Sequence, residues 1–477
     1  MHIKNVFTIF IFLLIFSKTS WTQIPDLPWA KQVGAKKFPT GKKIYYVNQF
    51  GAISDTNTIH TVAIQKAIDV CAKNGGGIVA FKPGTYVSGS IFLKSKVHLR
   101  IDSGVTILGS QHIKDYPEID TRIAGIEMKW PAALINIVDA QNVAVTGKGI
   151  VNGRGKFCWD MYWDMRRNDY EPKGLRWIVD YDAKRVRTFL TQNAADITLK
   201  DITFKNAGFW TVQLLYSTRL TVDGVVIRNN EDGHGPSTDG IDVDSSSWVL
   251  IQNCDIDCND DDFCLKSGRD WDGLRVNRPT EYVVIKKCIA RKGGGLLTLG
   301  SETSGGIRNV LAYDLEAHKT GQGFHIKSTT TRGGIVENIY LHNIKMDGVR
   351  NAFYFTMNWN PAYSNSILPK GYQYDSIPSH WKTLLKKVNP PEKGIPVFRN
   401  IYISNIKASG ITNHIIYCNG LEASPAQNFN FNNIEISGTK AGSISYANGW
   451  HFNNVQLKGA DGKNVEMTNS TDIHLNN

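Results

Sequence analysis

Three aspartates stand together at Asp260-Asp261-Asp262, and Asp239 precedes them by 21 residues in Ser237-Thr238-Asp239-Gly240. Gly293-Gly294-Gly295 follows Asp260 by about 33 residues, and His325-Ile326-Lys327 comes about 31 further on. Carboxylates held at close range do not all ionise, so at least one pKa rises and that group keeps its proton. A protonated carboxyl beside an ionised one can cleave a glycosidic bond, one protonating the leaving oxygen while the other deprotonates a water. Lys327 would favour the ionised forms and could bind the carboxylate of an acidic sugar. The same acidic run could also be a solvated turn, or a Ca²⁺ site built from oxygen ligands.

For residues so far apart to cooperate, the chain must return to one place at regular intervals, and the sequence repeats in that way. A polar residue, often Asn or Asp, followed by alternating β-branched or aliphatic residues recurs at Asn142-Val143-Ala144-Val145, Asp196-Ile197-Thr198-Leu199, Arg219-Leu220-Thr221-Val222 and Trp248-Val249-Leu250-Ile251. It continues at Tyr282-Val283-Val284-Ile285, Asn309-Val310-Leu311-Ala312, Asn338-Ile339-Tyr340-Leu341 and Asn400-Ile401-Tyr402-Ile403. From Ile197 to Ile339 the second residues are spaced by 23, 29, 34, 27 and 29; the step to Ile401 is 62, either two coils or one coil carrying a large loop. Short alternating runs punctuated by Gly and Asn are strand signals. Their interval fits an all-β fold, a single right-handed parallel β-helix with three short strands per coil. Propeller blades need about 40 to 50 residues and close as antiparallel meanders, which fits less well.

In such a solenoid, residues one coil apart stack at about 4.8 Å. Each interval between the acidic and basic motifs is about one coil, so Asp239, Asp260, Asp261 and Lys327 are expected in one column. The turn asparagines are expected to form a ladder, each amide bonding backbone in the next coil. Residues 58–73 have a helical apolar pattern ended by Asn74-Gly75-Gly76-Gly77, which predicts a helix capping the N-terminal end of the solenoid. Two insertions interrupt the repeat: 155–187, rich in Trp, Tyr and Arg, and 360–397, with a turn at Pro390-Pro391. Either could wall a binding groove, or pack its aromatics onto the solenoid.

Composition narrows the class. The chain has 477 residues, 42% hydrophobic and 20% charged, which excludes a disordered chain and a membrane bundle. Lys4 followed by an apolar run over residues 6–16 reads as a secretory signal cleaved near Thr22, too short for a spanning helix. Export to the periplasm or the extracellular space is therefore expected, with no membrane anchor. Loss of Lys4 and Lys18 takes the net charge from +11 to +9, which suits an anionic partner. Nucleic acid is disfavoured, since the basic residues are scattered and no recognition motif occurs. The seven cysteines are an odd number; Cys254 and Cys258 could pair or be buried as small apolar residues. Residues 23–477 read as one domain, expected to be a monomer.

From 45 to 459 the sequence resembles the family 28 glycoside hydrolases, the polygalacturonase family. The similarity is strongest over 237–339, including Lys266-Ser267-Gly268-Arg269-Asp270 and Gly300-Ser301-Glu302-Thr303-Ser304-Gly305-Gly306. That family carries Asn-Thr-Asp, Asp-Asp, Gly-His-Gly and Arg-Ile-Lys in this order and spacing. The resemblance implies a right-handed parallel β-helix that hydrolyses pectic glycosides with inversion and needs no metal or other cofactor. It implies Asp260 as general acid, Asp239 and Asp261 positioning and activating water, and substrate contacts from Lys327, His325, Arg269 and Glu302. Asp262 stands where many members have Cys and receives no role. Inversion requires acid and base carboxyls about 6.5–9.5 Å apart.

Three positions depart from the pattern. Ser237 replaces the Asn, Gly294 the His, and His325 the Arg that helps grip galacturonate. Rhamnogalacturonan-acting members also lack the Asn and the His, so a branched or mixed pectin is an expected substrate beside polygalacturonate. His325, or His234 in Asp232-Gly233-His234-Gly235, could stand in for the missing His. The aromatic insertion at 155–187 favours exo action. Two other readings remain open on the sequence: a Ca²⁺-dependent lyase on the same fold, and a β-helix that only binds carbohydrate.

Overall fold

The computed structural model describes residues 23–231 and 233–476, so the expected signal segment lies outside the described residues. The chain winds as a parallel β-helix with three strands per coil. The right hand expected of parallel crossovers applies to it. One face is a sheet whose central strands are Phe189–Gln192, Val212–Leu215, Ile241–Asp244, Asp261–Lys266, Gly295–Leu299, Gln322–Lys327 and Asn351–Thr356, each paired with the next. A second sheet holds the recurring motif, with Ile197, Leu220, Val249, Val283, Val310, Ile339 and Ile401 in direct register. Every interval in the series is thus one coil, and the 62-residue step is one coil carrying the second insertion. These seven side chains are buried within the solenoid, each contributing roughly 1.5–3 kcal/mol.

The first residue of the motif explains its own recurrence. Asn142, Asp196, Asn309, Asn338 and Asn400 all have φ between 55° and 57°, the left-handed region that Asn and Asp tolerate best. The ladder skips them, as between Gln141↔Ala195 and Val143↔Ile197, so each is the bulge that turns the chain from the first sheet into the second. Arg219, Trp248 and Tyr282 occupy the same conformation in consecutive coils. There the indole and phenol stack at 4.3 Å, and the Arg219 guanidinium lies 4.5 Å from the Trp248 ring. The asparagine contacts between coils are of two kinds: Asn259 Nδ2 donates to the Asn229 carbonyl at 3.1 Å and Asn230 Nδ2 to the Cys258 carbonyl at 2.7 Å, as expected, whereas Asn428 Nδ2 donates to Asn400 Oδ1 at 3.2 Å and Asn454 Nδ2 to Asn433 Oδ1 at 2.9 Å.

A helix over Thr61–Lys73 buries Ile64, Ala67, Ile68 and Cys71 at the N-terminal end of the solenoid. All seven cysteines are buried free thiols; Cys254 lies against Cys288, its backbone N–H donating to that sulfur at 3.4 Å, rather than pairing with Cys258.

Over the first sheet sits a second small core that the repeat did not announce. An antiparallel hairpin, Glu118–Ile123 with Ile126–Pro131, joins helical segments of both insertions, burying Trp130, Trp177, Tyr181, Trp210 and Trp381 together. The two insertions meet there, Trp177 against Trp381 edge to face at 5.5 Å, with the Trp381 indole N–H donating to Asp182 Oδ2 at 2.9 Å. They leave the solenoid on opposite sides of the acidic coils, so together they bridge that face.

Candidate active site

The first sheet and its roof enclose a small cavity of about 90 Å³. Asp239, Asp260, Asp261, Lys266, Glu302 and Lys327 line it from the solenoid side. Ala124, Arg176, Asp180, Trp359 and Tyr363 line it from the hairpin and insertions, with Trp210 beside them. Strand pairing explains the convergence. Ile241 is in register with Phe263, so counting back two residues sets Asp239 beside Asp261, and the Gly240 N–H donates to the Asp261 carbonyl at 2.9 Å. The next coils place Gly295 and then Gln322 behind Asp261. Asp239 therefore stacks on Asp261, one residue along from the Asp260 that sequence spacing first matched to it.

Charges inside this cavity are distributed unevenly. Lys327 Nζ donates to Asp261 Oδ2 at 2.7 Å, and the Thr298 hydroxyl donates to Oδ1 at 2.7 Å. Burial alone would raise the Asp261 pKa, but Lys327 and Lys266 outweigh it and bring the group down to about 2. Asp239 goes the other way: burial, and then the charge of Asp260, push it up to about 8 despite Lys266. Asp260 is also raised, by burial and then by Asp261. It is the most exposed of the three, and its Oδ1 accepts the Asp261 N–H at 3.0 Å. The cavity thus pairs an ionised carboxylate with two carboxyls that tend to hold protons, the combination that acid–base cleavage of an acetal requires.

Lys266 is the residue that sequence reading passed over. Its ammonium lies 3.4 Å from Asp239, 3.6 Å from Asp242 and 3.5 Å from Glu302, and 4.9 Å from the Trp210 ring. The signal was present: strand alternation puts it on the same face as Cys264, within the segment Lys266–Asp270 already noted. Asp239, Asp261 and Cys264 bring ligand atoms within 4.8 Å of one another. However, two ammonium groups already engage those carboxylates, and burial raises the Cys264 pKa, so the donor set suits a divalent cation poorly.

Two expected substrate contacts are placed differently. Arg269 is not on the cavity wall: it is fully buried, donating to the Tyr181 hydroxyl and the Tyr363 carbonyl at 2.8 Å each. The hairpin tip covers it, since a Cβ at Gly125 would lie 2.4 Å from Arg269 Cβ and 2.7 Å from Glu302 Cγ. Arg269 therefore supports Tyr363 from behind. His325 lies under the cavity, edge-on to Tyr354 at 5.4 Å, with Nε2 buried and unbonded. Burial and then Lys327 lower its pKa to about 3, so it is neutral and cannot replace a cationic Arg. His234 is exposed, stacked on Trp163 with its Nδ1 3.0 Å from Asn259 Oδ1, and is not among the residues lining the cavity. At Gly294 a Cβ would stand 3.3 Å from Asp261 Oδ1, so a side chain there would face the acid pair; in this chain Thr298 holds that oxygen instead.

Comparison with known proteins gives one consistent picture. The family model described as "Glycosyl hydrolases family 28" matches residues 78–371. A probable polygalacturonase of Vitis vinifera is 30% identical over 75% of this chain and 72% of its own length. The exo-poly-alpha-D-galacturonosidase of Dickeya chrysanthemi is 24% identical over 89% of this chain and 75% of its own length. In fold the chain is similar to the crystal structure of a hyperthermoactive exopolygalacturonase from Thermotoga maritima, with a TM-score of 0.69 at 23% identity, covering 94% of this chain and 95% of that one.

Proposed function

The chain belongs to glycosyl hydrolases family 28, and we propose that it hydrolyses glycosidic bonds of galacturonate-containing pectic polysaccharide, polygalacturonan or rhamnogalacturonan. One observation carries the mechanism. Asp260 and Asp261 line one cavity with their pKa values driven apart, the first raised and the second held at about 2. Asp260, at the open side, is the general acid that protonates the leaving oxygen. Asp261, ionised and held by Lys327 and Thr298, takes the proton of the attacking water. Asp239, raised to about 8, holds its own proton below that pH. It orients the water or a sugar hydroxyl through Oδ1, which no protein group satisfies. Attack from the side opposite the leaving group gives inversion. Lys327 and Glu302 contact the sugar.

Exo action is supported by the bridge of the two insertions over the acidic coils, which shuts the cavity in on one side. The expected leader and the positive net charge support export and an acidic polymer substrate. The protein acts as a monomer, and no metal takes part. Product analysis on polygalacturonate and rhamnogalacturonan tests the reading: saturated products that still form with EDTA present are expected. Unsaturated, ultraviolet-absorbing products whose formation EDTA stops would assign a lyase, and binding without turnover on either polymer would assign a binder. Clear preference for unmodified polygalacturonate would remove the case for a branched substrate.

A further inference from the structure

Arg176 enters the cavity from the helical insertion, not from the solenoid. Its guanidinium carbon lies 5.1 Å from the centroid of Tyr363, a ring that also has Arg269 at 4.5 Å. Nη1 donates to Asp180 Oδ2 at 2.6 Å, while Arg185 Nη2 donates to Asp180 Oδ1 at 3.0 Å. Two guanidiniums thus share one carboxylate, leaving the group positive. Arg176 Nε lies 3.9 Å from Glu171, beyond hydrogen-bond reach, and among the described residues no acceptor meets Nη2.

The two ammonium groups of the cavity are anchored on its carboxylates. Lys327 holds Asp261, and Lys266 is divided among Asp239, Asp242 and Glu302. His325, which stands where the family has a gripping Arg, is buried under the cavity. Arg176 is the guanidinium that lines the cavity with donors unused, and its planar fork suits a carboxylate better than an ammonium does.

We propose that Arg176 binds the carboxylate of the sugar held in the cavity and sets the preference for a uronate over a neutral sugar. The solenoid then supplies the chemistry and the insertion supplies the selectivity. This inference rests on the reading that the substrate is a galacturonate-containing pectin, and the test separates the two.

The experiment measures kcat and KM of wild type, Arg176→Gln and Arg176→Lys on galacturonate oligomers and on the same oligomers fully methyl-esterified. Arg176→Gln is expected to lower kcat/KM on the acidic oligomer by about 10- to 100-fold, the range for a hydrogen bond to a charged group. The loss should fall mainly on KM, leave the neutral oligomer within about threefold, and be partly restored by Arg176→Lys. Equal losses on both oligomers would mean that Arg176 only holds the insertion in place, and would overturn the inference while leaving the pectin reading intact. A wild type inactive on the acidic oligomer would overturn both. Should Arg176→Gln not fold, Arg176→Lys carries the test: a several-fold loss confined to the acidic oligomer supports the inference, and an equal loss on both overturns it.

Discussion

Asp260 and Asp261 are chain neighbours whose carboxyls sit on opposite sides of their ordinary pKa, because burial prevails at the first while Lys327, hydrogen-bonded to the second, and Lys266 outweigh burial there. Replacing Asp260 with Asn removes the transferable proton but leaves the shape. We expect kcat to fall by about 10²- to 10⁴-fold, the usual contribution of a general acid, with oligosaccharide binding by calorimetry nearly unchanged; retained turnover would remove Asp260 from the role. Asp239 gives a stability prediction. Unfolded it titrates near 3.8, but folded it titrates near 8. Between those values the folded state binds the extra proton, so the contribution of Asp239 is fully present below about pH 3.8 and is lost as pH rises through 8. Asp239→Asn should therefore be more stable than wild type at pH 9, by an amount on the order of a few kcal/mol, and the difference should shrink towards pH 4. Urea denaturation at the two pH values measures it. The acids and Lys327 were legible in the sequence because one coil separates one motif from the next. Lys266 lay inside a segment already singled out but carried no recognised role.

At the scale of elements, the coil period was readable because each second-sheet strand opens with a left-handed residue, and Asn or Asp at that position leaves a recurring mark. Where Arg219, Trp248 and Tyr282 take the same conformation, alternation alone revealed the coil. The hairpin Glu118–Pro131 left no such mark, since two antiparallel strands outside the solenoid share none of its spacing. This is also why Arg269 was expected in the cavity: the element that covers it was not visible. Gly125 at its tip has φ 91° and presses on Arg269 and Glu302. Gly125→Ala combines an unfavourable backbone region with a clash. A loss of about 1–3 kcal/mol in urea unfolding is expected, with lower kcat/KM as the tip lifts from the cavity. Unchanged stability would mean that the tip is not packed as described.

At the scale of the molecule, a repeating scaffold carries a roof that belongs to no repeat. The insertions leave coils on either side of the acidic ones and join through Trp177, Trp381 and Asp182, the feature that supports the proposed exo action. Single sugars should accumulate from the first minutes of digestion while the viscosity of the polymer falls slowly. Rapid loss of viscosity with mixed oligomers would show an open groove and endo action. The roof was visible in the sequence only as two aromatic-rich interruptions; that they meet one another, and that Arg176 turns inward, depends on contacts between residues some 200 positions apart.

The central claim is that Asp260 and Asp261 serve as acid and base on opposite faces of the bond. Time-resolved proton NMR of the anomer first released from α-linked galacturonate oligomers tests it most directly. Inversion releases the β anomer, which is expected to appear before mutarotation. Initial release of the α anomer would mean retention through a covalent intermediate, and would contradict it.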